Sequence, residues 1–106
     1  MADTFFDSTI WARAISRYLL EEKSVNALSY KQIKGRLMDI GIDQSTANLS
    51  SKFNRGSISA QLFCATLIAI GETTVDLEKI QSFVEEEQKK EQKTGLDKLQ
   101  NAKDEG

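Results

Sequence analysis

Asp43-Gln44-Ser45-Thr46-Ala47-Asn48-Leu49-Ser50-Ser51-Lys52-Phe53-Asn54-Arg55-Gly56-Ser57 is a polar stretch set between two strongly apolar ones. Leu49 and Phe53 stand four residues apart, the spacing that puts two side chains on one face of a helix, with Ala47 as a small neighbour. Gln44, Asn48, Ser51, Lys52 and Arg55 fall broadly on the opposite side. Amides and hydroxyls that end in a lysine and an arginine are poor core material, yet each carries donors, acceptors or both. The pattern predicts a helix over 44–53, anchored by two apolar side chains. Asn54-Arg55-Gly56 reads as a turn, and Ser57 or Ser59 as the cap of the next helix.

Working upstream, Ser29 and Gln32 have the spacing of a capping box, in which each side chain satisfies the other's backbone N–H. Tyr30, Ile33, Leu37 and Ile40 follow on one face, with Lys31, Lys34 and Arg36 on the other. Gly41 is placed to end that helix in a left-handed cap, and Ile42 to turn into the core. Before this, Asp7 or Ser8 caps a first helix whose Trp11, Ala14, Ile15, Tyr18 and Leu19 share a face. Ser24 to Leu28 breaks the period and reads as a loop.

Working downstream, residues 60–70 carry Leu62, Phe63, Ala65, Leu67, Ile68 and Ile70. An apolar surface nearly all round predicts a central, buried helix, which Gly71 stops. Thr73 and Asp76 have capping-box spacing at the start of a fifth helix bearing Leu77, Ile80, Phe83 and Val84. From Glu85 the sequence runs E-E-E-Q-K-K-E-Q-K. That run supports a solvated helix through i,i+4 pairs and offers nothing to bury. Residues 95–106, with Leu96 and Leu99 in a polar setting, read as frayed or disordered. The expectation is one all-α, five-helix domain over 8–84 and a charged C-terminal tail over 85–106.

The chain has 106 residues, enough for one domain, and contains no proline. Its formal charge of −2 hides an asymmetry. Between Ser8 and Gly71, eight basic residues face only Glu21, Glu22, Asp39 and Asp43, a net of +4, while the residues beyond Gly71 sum to −4. A basic body with an acidic tail speaks to partners through its local field. Cys64, the single cysteine, lies in the most hydrophobic run and is expected to be a buried structural thiol in a reducing compartment. With no histidine, no metal-ligand cluster and no phosphate-cradling glycine loop, the chain does not read as an enzyme and calls for no cofactor. The N-terminus lacks the pattern of a signal peptide. Leu62 to Ile70 falls far short of the ~20 residues that span a bilayer, so a cytoplasmic location is expected.

A capped second helix (Ser29, Ile33, Leu37), a polar third ending in an arginine-glycine turn (Leu49, Phe53, Arg55, Gly56) and an apolar fourth (Leu62, Leu67, Ala69, Ile70, Gly71) resemble the lambda-repressor and Cro type of helix-turn-helix domain. The resemblance covers about residues 8–71, or to 84 with the fifth helix. It departs from that pattern where Gly41 follows Leu37 late and the interval from Gly41 to Gly56 is long, so the turn is not the usual tight one. A more specific likeness is to a group of small uncharacterised bacterial domains with an N-L-x-x-K-x-x-R-G-x-[FI]-S signature. Here that is Asn48, Leu49, Lys52, Arg55, Gly56, Ile58 and Ser59.

The first type of domain implies a sequence-specific regulator of duplex DNA, in all expectation a repressor of bacterial or mobile-element origin. With helix 44–53 in the major groove, Gln44 and Asn48 are suited to adenine, and Ser45, Ser51 and Lys52 complete the base-contacting set. Ser29 and Tyr30 lie at a helix N-terminus that favours phosphate, and Lys31, Lys34, Arg55 and Ser57 could flank the same strand. Arg55 has a competing structural role, pairing with a helix C-terminus or with Asp39. The competing reading is that Gln44 to Lys52 is a plain solvated helix face. One domain of this size buries a modest area on DNA, so a homodimer is expected. Leu77, Ile80, Phe83 and Val84 could form its contact or fold back on helices one and four, the latter being favoured for Leu77 and Ile80. The alternative is a non-catalytic protein–protein module, antitoxin-like or an accessory subunit, that binds a larger partner through residues 77–106.

Overall fold

The described residues form five helices: α1 (Ser8–Val25), α2 (Tyr30–Asp39), α3 (Thr46–Arg55), α4 (Ala60–Ile70) and α5 (Leu77–Glu105). The computed structural model describes residues 6–105, with side chains through residue 91. Among the described residues there is no strand. Among the described residues no helix is long and apolar enough to cross a membrane.

Each helix begins where a short side chain can take up a free amide. Asp7 Oδ1 accepts from the Thr9 and Ile10 amides at the head of α1. Ser29 and Gln32 form the expected capping box, Ser45 Oγ accepts from Asn48 N and Ser59 Oγ from Leu62 N. At α5 the cap is Asp76 alone, whose Oδ1 accepts from Lys79 N at 3.0 Å. The anticipated Thr73–Asp76 box is not formed, because the helix starts at Leu77 and Thr73 lies too far upstream of it.

Helix ends are equally local. The α2 end closes as a Schellman motif: Gly41, at φ +87°, donates to Met38 O, and Ile42 donates back to Leu37 O. That folds Ile42 against the core. The end of α1 uses the same motif, but with Ala27 at φ +53° in the left-handed position. Ala27 N donates to Ser24 O and Leu28 N to Lys23 O. The helix therefore runs two residues further than the sequence suggested, through Val25, and Leu28 is buried rather than part of an open loop.

The core gathers Ile10, Ala14, Tyr18 and Leu19 from α1 with Ile33, Leu37, Leu49, Phe53, Leu67, Ile70, Ile80 and Val84. Helix α1 is shared between α3 and α5, while α2 packs on both α3 and α4. Tyr30 meets Phe53 edge-on at 5.4 Å. Tyr18 reaches from α1 to the head of α5, its hydroxyl accepting from Asp76 N at 3.0 Å. Arg36 of α2 donates to Ala69 O and Ile70 O, capping the C-terminus of α4.

Helices α1 and α5 run antiparallel and are tied by charge along their length. Arg13 pairs with Glu91, Arg17 with Glu86 at 2.6 Å and more distantly with Glu87, and Lys79 with Glu21 and Glu22. The Arg17 guanidinium also lies 4.2 Å above the Phe83 ring. The acidic run is thus more than a solvated face: Glu87 is only 8% exposed. A charge pattern read along one helix misses this, since the countercharges sit on another. At the far end, burial and the neighbouring Glu72 carboxyl hold Glu22 above the usual carboxylate range, with Lys79 pulling the other way.

Four apolar side chains lie elsewhere than expected. Ile40, grouped with Ile33 and Leu37, is 49% exposed. Cys64 is exposed, Ile68 is 62% exposed and Leu77 55%. Helix α4 has neighbours for its Leu62, Ala65, Thr66, Leu67, Ala69 and Ile70. Among the described residues none covers the stripe through Gln61, Cys64 and Ile68. Of the fifth-helix residues, Ile80 and Val84 are buried in the fold and Phe83 is half-buried, whereas Leu77 does not fold back. Leu96 and Leu99 lie outside the residues with described side chains.

Candidate functional site

The outer surface of α3 is open, and α5 lies along α1 instead of across it. Two contacts from α1 set the position of α3. Ser16 Oγ donates to Asn54 O in the last helical turn, and Gly56, at φ +66°, sits so close to Ala12 that a Cβ there would stand 1.7 Å from the Ala12 carbonyl oxygen. The Arg-Gly turn of the signature is a point of backbone-on-backbone contact.

The helix begins at Thr46, not at residue 44. Gln44 precedes it, and Ser45 is its cap. A capping serine must be non-helical while its oxygen takes up an amide two or three residues on, which moves the start beyond what apolar spacing alone suggested. Ser45 and Asn48 are exposed, and Ser51 and Lys52 half-buried. Asn48 thus offers a free amide at the surface. Gln44 is half-buried, with a buried Oε1 that has no hydrogen-bond partner.

Gln44 and Lys52 border a cleft of about 270 Å³ with Ile42, Ser59, Gln61 and Leu62. Gln61 was not singled out from the sequence. The available signal was an exposed amide in the first turn of a helix whose other residues are almost all apolar. The cleft joins the outer face of α3 to the head of α4 through polar groups: two amides, a hydroxyl and an ammonium.

The residues expected on the flanks divide. Ser57 and Arg55 are exposed, and among the described residues Arg55 has no ion-pair or hydrogen-bond partner. Neither structural role foreseen for it, at a helix C-terminus or with Asp39, is seen; the C-terminus of α4 is capped by Arg36. Lys34 is used inside the protein. Its Nζ donates to Gln44 O at 3.2 Å and pairs with Asp43 at 3.4 Å, tying α2 to the segment that leads into α3. Lys31 is exposed beside Ser29 at the head of α2. Ser29 N and Gln32 N are both satisfied within the capping box, so the open amides at that helix end are those of Tyr30 and Lys31. The Tyr30 ring packs on Phe53, with Lys23 Nζ 4.5 Å from its centroid on the other side.

The basic surface is smaller than the sequence count. Arg13 and Arg17 are matched by α5 acids, Lys23 lies on Tyr30, Lys34 holds the α2–α3 turn and Arg36 caps α4. Lys31 at the head of α2 and Lys52 and Arg55 on α3 remain. Among the described residues no cluster of His, Cys, Asp or Glu could hold a metal ion.

No curated protein and no solved structure matches the chain. A family model described as a domain of unknown function, DUF6471, matches residues 11–75. That segment runs from α1 to the head of α5 and includes every residue of the polar face, and since it exceeds half the chain, this protein belongs to the DUF6471 family.

Proposed function

We propose that the chain is a sequence-specific double-stranded-DNA-binding regulator, a repressor, built as a lambda-repressor-like helix-turn-helix domain. Helix α3 enters the major groove. The observation that carries this reading is the open polar face of α3, with Asn48 exposed and Arg55 unpaired beside it. Solvation alone asks for no such arrangement of amides, and an asparagine amide can address adenine N6 and N7 together, worth roughly 1–3 kcal/mol of discrimination. Ser45, Ser51, Lys52 and Gln44 border the same groove edge, while Lys31, Arg55 and Ser57 meet phosphates that fix register.

Selection from a random duplex pool, followed by titration of the winning duplex at rising salt, tests the proposal. With two free cations per protomer on phosphates, Lys31 and Arg55, log K should fall by about 1.8 per decade of salt for one protomer and about twice that for two. Failure to enrich any duplex, or affinity indifferent to salt, overturns it.

One observation favours a second reading. Five of the eight basic side chains between Ser8 and Gly71 serve intramolecular contacts. A protein–protein module that binds a larger partner through its acidic C-terminal segment needs no basic surface. Removal of residues 92–106 leaves every described α1–α5 ion pair in place. Under this reading it abolishes partner capture, whereas duplex selection by the shortened chain persists under the first.

A further inference from the structure

Helix α4, the α4–α5 connection and the start of α5 leave apolar side chains uncovered. Ile68 is 62% exposed, Leu77 55% and Val75 42%, and Cys64 is exposed on the same helix as Ile68. Two grooves open here and share Val75. One, of about 240 Å³, is lined by Cys64, Ile68, Val75 and Glu72 among others. The other, of about 310 Å³, is lined by Trp11, Phe63, Val75 and Leu77 among others. Sites for free small molecules begin at about 300 Å³, so each groove suits single side chains of a larger partner better than a whole metabolite.

Charge distinguishes this surface from the rest of the body. The connecting segment reads Glu72-Thr73-Thr74-Val75-Asp76-Leu77-Glu78, three carboxylates interleaved with two exposed apolar residues. Asp76 and Glu78 are exposed and Glu72 is half-buried. Asp76 gives one oxygen to the Lys79 amide, and among the described residues Glu78 has no ion pair or hydrogen bond of its side chain. No lysine or arginine lines either groove. The bases at the ends of the segment are engaged: Lys79 pairs with Glu21 at 2.7 Å and with Glu22, and Arg36 donates to the Ala69 and Ile70 carbonyls.

We infer that this surface docks a helix of another protein, one whose apolar stripe is flanked by lysines and arginines. Apolar side chains at helical spacing enter the two grooves, and the flanking bases meet Glu72, Asp76 and Glu78. An apolar centre inside a charged rim is the usual anatomy of a protein interface, and the rim charges chiefly set partner choice and rate of encounter. The three carboxylates decide among occupants. A second copy of this chain brings three more of them and no base in its own grooves, while duplex DNA and an anionic lipid surface are repelled. The inference rests on neither functional reading, since it uses no residue of α3 and none beyond residue 91.

The chain carries one native reporter in each groove, its only cysteine, Cys64, in the first and its only tryptophan, Trp11, in the second. The full chain, without DNA, is screened against a displayed library of single helices with a fixed apolar stripe and random flanking positions. The selected helices should carry lysine or arginine at the flanks. Made as synthetic peptides, they should slow alkylation of Cys64 by a small maleimide, shift the Trp11 emission, and associate more slowly as salt rises. Ile68→Ser should weaken them by about tenfold, and Glu78→Lys by roughly threefold to tenfold. Both positions are exposed, so helicity should not change. A library that yields no binder, selected helices with acidic or uncharged flanks, or binding that leaves Cys64 and Trp11 unaltered overturns the inference. Self-association of the chain that by itself protects Cys64 also overturns it and gives the surface to a second copy. Success or failure of duplex selection moves none of these readouts.

Discussion

Gly56 and Ala12 touch through their backbones: a Cβ on residue 56 would fall 1.7 Å from the Ala12 carbonyl oxygen and 2.6 Å from its carbonyl carbon. The contact locks the end of α3 to the first turns of α1, and the Ser16 hydroxyl on Asn54 O holds the adjoining turn. The polar face is thereby aimed by the most constrained point in the fold.

Gly56→Ala should be severely destabilising. The left-handed backbone alone costs an L-residue roughly 1–2 kcal/mol, and here neither colliding group is a flexible side chain, so the total is expected above about 3 kcal/mol. Thermal unfolding followed by circular dichroism measures it. A melting temperature within a few degrees of the parent would show that α1 and α3 can part freely.

Ala27→Gly should do the reverse. Ala27 holds the left-handed position of the α1 Schellman motif at φ +53°, where glycine escapes the steric penalty, though it adds disorder to the unfolded chain. A net gain of about 0.5–1 kcal/mol is expected from chemical denaturation, with an unchanged slope. A loss of stability would mean that the methyl group contributes packing its surroundings do not suggest.

Lys34 and Arg55 should separate cleanly. Lys34→Met removes the tether to Gln44 O and Asp43, so it should lower thermal stability and loosen the start of α3. Arg55→Ala touches nothing inside the protein. It should leave the melting temperature alone and reduce the salt slope of duplex binding by about 1. The opposite assignment, with Arg55→Ala melting early and binding normally, would place Arg55 in the scaffold.

Glu72→Gln should change the pH dependence of stability. Burial and Glu72 raise the pKa of Glu22 above its ordinary 4.5. A folded-state pKa above the unfolded one means protons are taken up on folding. Stability from this pair is full below the ordinary carboxylate value and declines as pH climbs through the raised one. Relief of the carboxylate–carboxylate repulsion should therefore raise the melting temperature at pH 7 and have little effect near pH 3. Equal shifts at both pH values would remove the Glu22–Glu72 interaction as the cause.

Much of this architecture was legible in the sequence because its causes act within a turn or two of chain. Ser29 with Gln32, Ser59, Gly41 and the Leu49–Phe53 pair each announce a helix end or face through neighbours three to five residues away, and each stands where expected. Residue 44 was assigned to the helix because apolar spacing is blind to a cap, whereas the Ser45 hydroxyl fixes the start at Thr46.

What only tertiary structure decided concerns partners distant in sequence. That Arg13 and Arg17 meet the acids of α5, that Arg36 caps α4, and that Cys64 and Ile68 are left exposed all depend on which helices lie side by side. Composition states what a side chain is able to bury or pair. Its local sequence fixes the helix on which it rides, and the packing of that helix against others, a sum of many weak contacts across the chain, decides what it meets.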